Sequence, residues 1–304
     1  MTAFLLADPR AEDGKMIEDV SLLGRKSHIQ EVKKNGLKVV LAHETKTVRF
    51  ENCFSCLDEL ANSDLKFDLV IFCVKTHSLA GVSEEIELAG ILNRNFKDAA
   101  FALLMNGMGN ADMLSLPRDR VFEGVTSIGV RFAKDGLVEL KGMGQTVFDE
   151  ALDSKIKDLL KERFDGKSFE IKFVSDFKKY QWNKLFINSV INPITALTGK
   201  SNGIVLSEHL KETVERIIDE CAKVAAAEGI DANSESIRSS VYSVAAKTRQ
   251  NTSSMLQDAQ KGKTTEIDSI NGYVVKLAKK HGISAPINET LYSLVKSMEA
   301  GDAD

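Results

Sequence analysis

Asp68-Leu69-Val70-Ile71-Phe72-Cys73-Val74-Lys75 is an almost unbroken apolar run closed by a charge at each end. A strand covered on both faces by helices reads this way, as parallel strands do. Ala99 to Asn106 is a second such run. Between the two, Ser78 to Leu92 carries Leu79, Val82, Ile86 and Leu88 at helical spacing. Strand, helix, strand at this separation predicts a parallel α/β unit. Working outward, Val20 to Leu23 reads as a short strand, and Leu37 to Ala42 with Thr47 to Phe50 as an extended pair. Val121 to Phe148 is β-branched and punctuated by glycine, which predicts antiparallel strands closing the sheet; Phe169 to Val174 is one more strand.

The pattern turns helical after Asp176, a suitable N-cap for a helix running through Trp182, Leu185 and Val190. Further helices are expected at Ser207–Glu228, Glu235–Lys247, Thr264–His281 and Ile287–Met298, with Gly229 and Gly282 at C-cap positions. The predicted architecture is therefore an α/β domain over residues 1–174 followed by an all-helical domain over 175–304. Ligand sites in such pairs are expected in the cleft between domains.

Composition narrows the function. A length of 304 residues suits two domains, and 43% hydrophobic with 28% charged residues is ordinary for a globular protein. A net charge of −4 without long basic runs argues against binding nucleic acid through its phosphates. The longest apolar runs, such as Ala99 to Met105, span about seven residues, far short of a membrane-spanning helix. No basic stretch followed by an apolar one opens the chain, so a cytoplasmic protein is expected. Four cysteines are too few for a disulfide scaffold. Cys53 and Cys56 form a C-x-x-C, but no second pair or nearby histidine completes a metal site. Cys73, in an apolar run, and Cys221, in a helical pattern, read as core residues.

Three segments can carry chemistry. In Trp182 to Ala196, Lys184, Asn188 and Asn192 recur every fourth residue and so share one helix face. An ammonium and two carboxamides on an otherwise apolar helix are expensive to bury unless they meet a polar ligand. The plain alternative is a polar face capped by asparagine. Pro193 should kink or break that helix. In the second segment, Asn251 and Ser254 can donate to a carboxylate, and Glu266 is expected to open a helix, with Thr264 or Thr265 as a possible cap. Third, Asn106-Gly107-Met108-Gly109 follows a buried strand, where glycines let backbone approach a ligand.

Together these segments resemble one family. Leu22-Leu23-Gly24-Arg25-Lys26-Ser27-His28, Val74-Lys75-Thr76, Asn106-Gly-Met-Gly109, Trp182-Asn-Lys184 with Asn188 and Asn192-Pro-x-Thr-Ala-Leu197, Ser253-Ser254-Met-Leu-Gln-Asp258 and Thr265-Glu266-Ile-Asp268 occur in the order found in ketopantoate reductases. The combination is specific, although no single motif is. The resemblance implies a Rossmann-like domain, a helical domain, and NADPH-dependent reduction of 2-dehydropantoate to pantoate on the route to pantothenate and coenzyme A. It makes Lys184 the general acid and Glu266 the acidic residue at the substrate hydroxyl. It places Asn106, Asn188, Asn192, Asn202, Asn251 and Ser254 around the substrate, a small 2-oxo acid. Lys75 and Asn106 border the cofactor, and Arg25 meets its 2′-phosphate. No metal is implied, and the assembly is a monomer or a homodimer.

The residues read on their own agree. Hydride arriving at a ketone leaves negative charge on oxygen, which a lysine can stabilise and protonate. Desolvation lowers a lysine pKa toward neutrality, while a neighbouring carboxylate opposes the shift.

One feature departs from the family. A dinucleotide fold opens with a strand, a Gly-x-Gly-x-x-Gly turn and a helix whose N-terminus receives the pyrophosphate. Residues 1–19 contain one glycine, Gly14, and the apolar Phe4-Leu-Leu-Ala7 is soon followed by Pro9. The first strand and phosphate loop are therefore expected to be missing or replaced. Three readings accommodate this: a loop encoded upstream of Met1, a catalytically impaired relative with a binding or structural role, or a groove that holds cofactor without the loop. The last is physically hardest, because the pyrophosphate loses its backbone donors. Within the enzyme reading, a related branched 2-oxo acid remains an alternative substrate, since pockets distinguish single methylenes by only about 1–3 kcal/mol.

Overall fold

A computed structural model describes residues 16–164 and 170–300. It divides into two compact units. The first comprises the described residues up to Val74, then Ser78–Met105 and Ala111–Phe177; the second comprises Lys75–His77, Asn106–Asn110 and the chain from Lys178 onward. Two short stretches from the first half of the sequence thus belong with the helical second half, a division that a single expected boundary at 174 does not anticipate.

Among its described residues the first unit contains three sheets. β1 (Met16–Ile17), β3 (Leu37–Val40) and β4 (Thr45–Phe50) combine with β9 (Gly129–Lys134) and β10 (Leu137–Gly142) in the order β1-β4-β3-β10-β9. β6 (Leu69–Phe72), β7 (Ala100–Leu103), β8 (Val121–Thr126), β11 (Gln145–Asp149) and β12 (Glu170–Val174) form the second, ordered β12-β11-β8-β7-β6. β2 (Leu22–Leu23) pairs in parallel with β5 (Cys53–Phe54). β6, β7 and β8 run parallel, with Leu69 opposite Ala100 and Phe101 opposite Val121. The apolar runs form the core because these strands are covered: Phe101, Ala102 and Leu103 are buried, and Leu79 and Ile86 pack from the crossover helix. β3 and β4 are the expected extended pair, and they run antiparallel. The Val121–Phe148 region corrects one expectation. β8 and β11 do pair antiparallel, but the hairpin of β9 and β10 lies in the other sheet, against β3. Cys73 also departs from expectation: it follows β6 and is exposed, while Cys221 is buried.

The helices of the first unit are α1 (Lys26–Asn35), α2 (Leu57–Ala61), α3 (Leu79–Leu88) and α4 (Ser154–Phe164). Those that follow are α5 (Phe177–Thr198), α6 (Lys211–Ala227), α7 (Ser234–Lys247), α8 (Ser254–Ala259), α9 (Asn271–His281) and α10 (Pro286–Ala300). Local chemistry sets several ends. Asn233 caps α7 by accepting from the amides of Glu235 and Ser236. Gly282 closes α9 in the left-handed conformation, φ 65°. The second unit's core gathers Leu185, Val190, Val214, Ile217, Val241, Val274 and Val295.

Two expectations about these helices are corrected. Of the kink or break expected at Pro193, the break does not occur: α5 continues to Thr198. The proline lacks the N–H that would bond the carbonyl of Ser189, and the side chain of Asn271 donates to that carbonyl instead, at 3.0 Å. Glu266 opens a single 3-10 turn rather than an α-helix. It precedes a short 3-10 turn, Ile267–Ser269, and α9 starts only at Asn271. Thr265 Oγ1 accepts from the amide of Ile267 at 3.2 Å, so the hydroxyl makes a local turn rather than a helix cap. Among the described residues, no helix is long and apolar enough to cross a membrane.

Candidate active site

The second unit brings together residues far apart in sequence. The chain leaves β6 into Lys75–His77 and β7 into Asn106–Asn110, and both stretches belong to this unit. Lys75 Nζ lies 2.8 Å from Asp258 Oδ2 and 3.3 Å from Glu266 Oε2. Asn106 Nδ2 donates to the same Glu266 oxygen at 2.9 Å. Glu266 is 5% exposed, so a carboxylate there needs these partners to offset its lost hydration.

Backbone geometry supports the cluster. Gly107 has φ 80°, and a β-carbon there would collide with the side chain and carbonyl of Ser269. Only glycine lets this turn close against the Glu266 turn. The Met108 amide donates to Ser269 O at 2.9 Å, and Ser269 Oγ donates to Asn106 O at 3.3 Å and Glu266 O at 3.1 Å. Thr76 Oγ1 donates to Asn110 Oδ1 at 3.1 Å.

Lys184 lies on α5 and is partly buried. Desolvation lowers its pKa from 10.5 to about 8, against the opposing pull of the Glu266 carboxylate. Burial pushes Lys75 the same way, but Glu266 and Asp258 outweigh it, and its pKa ends above the ordinary lysine value. The unit thus holds one lysine fixed as a cation and another poised to release its proton. That pairing suits proton donation to a developing alkoxide.

The remaining expected residues divide as follows. Asn188 and Asn192 follow Lys184 at successive turns of α5; Asn188 is partly exposed and Asn192 is buried. Asn202 and Asn251 meet through backbone, Asn202 N donating to Asn251 O at 3.0 Å. Asn202 Nδ2 donates to Thr248 Oγ1 at 3.0 Å, and its buried Oδ1 has no protein partner. Ser254 opens α8, one residue after the N-cap Ser253, whose hydroxyl lies 2.6 Å from Thr195 Oγ1. Arg25 belongs to the first unit. Asp258 was not anticipated as a site residue. The available signal was its position one helical turn after Ser254 in the same short helix, which puts both on one face.

Two cations stand at the start of α1 in the first unit. Arg25 precedes α1 as its N-cap, provides no side-chain cap, and is followed by Lys26, with no acidic residue in the first turn. A helix N-terminus beside two cations suits a phosphate. The guanidinium of Arg25 stands 5.2 Å from the centre of the Phe132 ring. These residues fit the phosphate-bearing ribose of a dinucleotide. The expected lack of a glycine-rich turn concerns residues 1–19, of which 1–15 lie outside the described residues. No cluster of metal-ligating side chains occurs among the described residues.

Comparison with known proteins bears on the same features. Residues 13–152 match the family described as ketopantoate reductase PanE/ApbA, and residues 176–299 match its C-terminal domain. A protein of Halobacterium salinarum named 2-dehydropantoate 2-reductase is 34% identical over 284 residues, covering 91% of this chain and 90% of that one. One of Pyrococcus horikoshii with the same name is 29% identical, covering 93% and 90%. The crystal structure of a PanE/ApbA family ketopantoate reductase from Ralstonia eutropha superposes with a TM-score of 0.81 at 26% identity, covering 93% of this chain and 91% of that one. The α/β unit with parallel strands and the helical unit are the fold of those enzymes, and the chain belongs to the ketopantoate reductase family.

Proposed function

We propose that this chain reduces 2-dehydropantoate to pantoate at the expense of NADPH, the pantoate-forming step of pantothenate synthesis. The observation that carries the reading is the buried Glu266 carboxylate, held by Lys75 at 3.3 Å and Asn106 at 2.9 Å and acting on Lys184, whose pKa is drawn down to about 8. Bound NADPH supplies the hydride, which no side chain can deliver. Lys184, as the ammonium, donates to the ketone oxygen, stabilises the charge that develops there, and releases its proton to form the alcohol. Its lowered pKa makes that release easier than from an ordinary lysine. Solvent then reprotonates the amine.

In this reading Glu266 accepts a hydrogen bond from the substrate hydroxyl. Lys75 and Asn106 hold Glu266 in place, and Asp258 anchors Lys75. Asn188, Asn192, Asn202, Asn251 and Ser254 offer neutral donors to the substrate carboxylate. Arg25 and Lys26 take the 2′-phosphate of NADPH. Four cysteines in 304 residues are too few for a disulfide scaffold, which supports a reducing, cytoplasmic setting.

The test is NADPH oxidation on addition of 2-dehydropantoate, followed by absorbance. Turnover that depends on both compounds is the expected result. A folded protein without turnover would overturn the reading.

A further inference from the structure

Glu299 occupies the last turn of α10 with its side chain only 9% exposed. A carboxylate there faces the negative end of the helix dipole and loses hydration as well. What offsets both costs is a set of contacts around Glu266. The amide and the hydroxyl of Thr265, the residue before Glu266, both donate to Glu299 Oε1, at 2.7 and 2.6 Å. Glu299 Oε2 pairs with Lys296 at 3.0 Å. Lys296 reaches on to Asp268 Oδ2 at 3.0 Å, and Tyr292 donates its hydroxyl to Asp268 Oδ1 at 2.9 Å. Tyr292, Lys296 and Glu299 are spaced to share one face of α10. That face therefore grips the chain on both sides of Glu266.

We propose that Glu299 is a positioning residue, which clamps Thr265 and so sets where the Glu266 carboxylate stands. The inference rests on the proposed reduction for its kinetic meaning, though not for its geometry. Glu266 faces Lys75, itself paired with Asp258, and acts on Lys184; Glu299 faces Lys296, which also faces Asp268. The attraction between Glu266 and Lys184 falls with distance, so a loosened Glu266 weakens its hold on the Lys184 proton.

The test is titration of the Lys184 side chain by lysine-selective 13C NMR, the signal assigned by its loss in Lys184→Arg. In Glu299→Ala the titration midpoint should fall by about half a pH unit or more, the direction expected when a carboxylate's support is reduced. An unchanged midpoint in folded Glu299→Ala would overturn the clamp. If that variant fails to fold, Thr265→Val and Thr265→Ser decide. The valine should lower the midpoint and the serine, which keeps both donors, should restore it; equal midpoints would refute the proposal. A purely structural role would lower Tm without moving the midpoint. Kinetics give a separate arm, with kcat/KM for 2-dehydropantoate expected to fall about tenfold in Glu299→Ala, a size typical of a displaced catalytic partner. Absence of wild-type turnover would sink the reductase reading and leave the NMR midpoint to judge the clamp.

Discussion

The side-chain amide of Asn271 donates to the carbonyl of Ser189, the acceptor that Pro193 leaves without its helical partner. The same amide group donates to Asn288 Oδ1 at 3.0 Å, and Asn288 is held by Glu220 at 2.7 Å. A buried polar chain therefore carries α5 past its proline. The helix that bears Lys184, Asn188 and Asn192 stays continuous because a neighbour replaces one missing hydrogen bond.

Asn271→Ala strips a fully buried acceptor of its donor, so unfolding free energy should drop by about 1–3 kcal/mol. Urea denaturation measures this. Pro193→Ala restores a backbone N–H to Ser189, so Asn271→Ala should cost less in that background. Equal costs in the two backgrounds would show that the proline and the amide are not coupled.

Lys184→Ala removes the proton donor, and kcat should fall by roughly 10²–10⁴-fold, the usual scale of general acid catalysis. In the wild type, kcat/KM should decline as pH rises through about 8, because the ammonium of the free enzyme is the active form. A flat pH profile through that region would reject the assignment.

The same lysine should weaken the fold at neutral pH. Its pKa is about 8 in the folded protein against an ordinary 10.5. Between these values the unfolded chain holds a proton that the folded chain has released, so this group makes stability rise with pH across the window. Below about 8 the buried cation is fully present and its desolvation counts against folding. Lys184→Met should therefore raise Tm near neutral pH, with a gain that shrinks as pH approaches the unfolded pKa. A lower Tm in the variant at neutral pH would contradict this.

Gly107→Ala should disturb the site through backbone alone. The residue needs φ 80° and its β-carbon would meet Ser269. Strain of about 1–3 kcal/mol is expected. Asn106 should shift off Glu266 as the turn opens, giving a fall in kcat larger than the loss of stability accounts for. Comparison of Tm with kcat at a temperature where the variant is folded separates the two effects.

Arg25→Ala should raise KM for NADPH about 10–100-fold, the loss of a charge-assisted contact to phosphate, and leave KM for NADH nearly unchanged. A parallel rise for both cofactors would place Arg25 elsewhere on the dinucleotide.

Much of the architecture was legible along the chain because it depends on local pattern. The apolar runs at Asp68–Lys75 and Ala99–Asn106 mark parallel strands, since only strands covered on both faces omit polar alternation. Lys184, Asn188 and Asn192 declare a shared face through their spacing. The resemblance added the roles, which the residue types alone leave open.

What tertiary structure decided depends on partners distant in sequence. Nothing local says that Pro193 sits inside a helix, because the donor that makes this tolerable is Asn271, on another helix. Glu266 looked like a helix start by pattern, yet Thr265 bonds to Glu299 and the helix begins at Asn271 instead. Asp258 became part of the site only once Lys75 was brought beside it. Periodicity records which face a residue turns inward, whereas hydrogen bonds and ion pairs between distant segments exist only after the chain has folded.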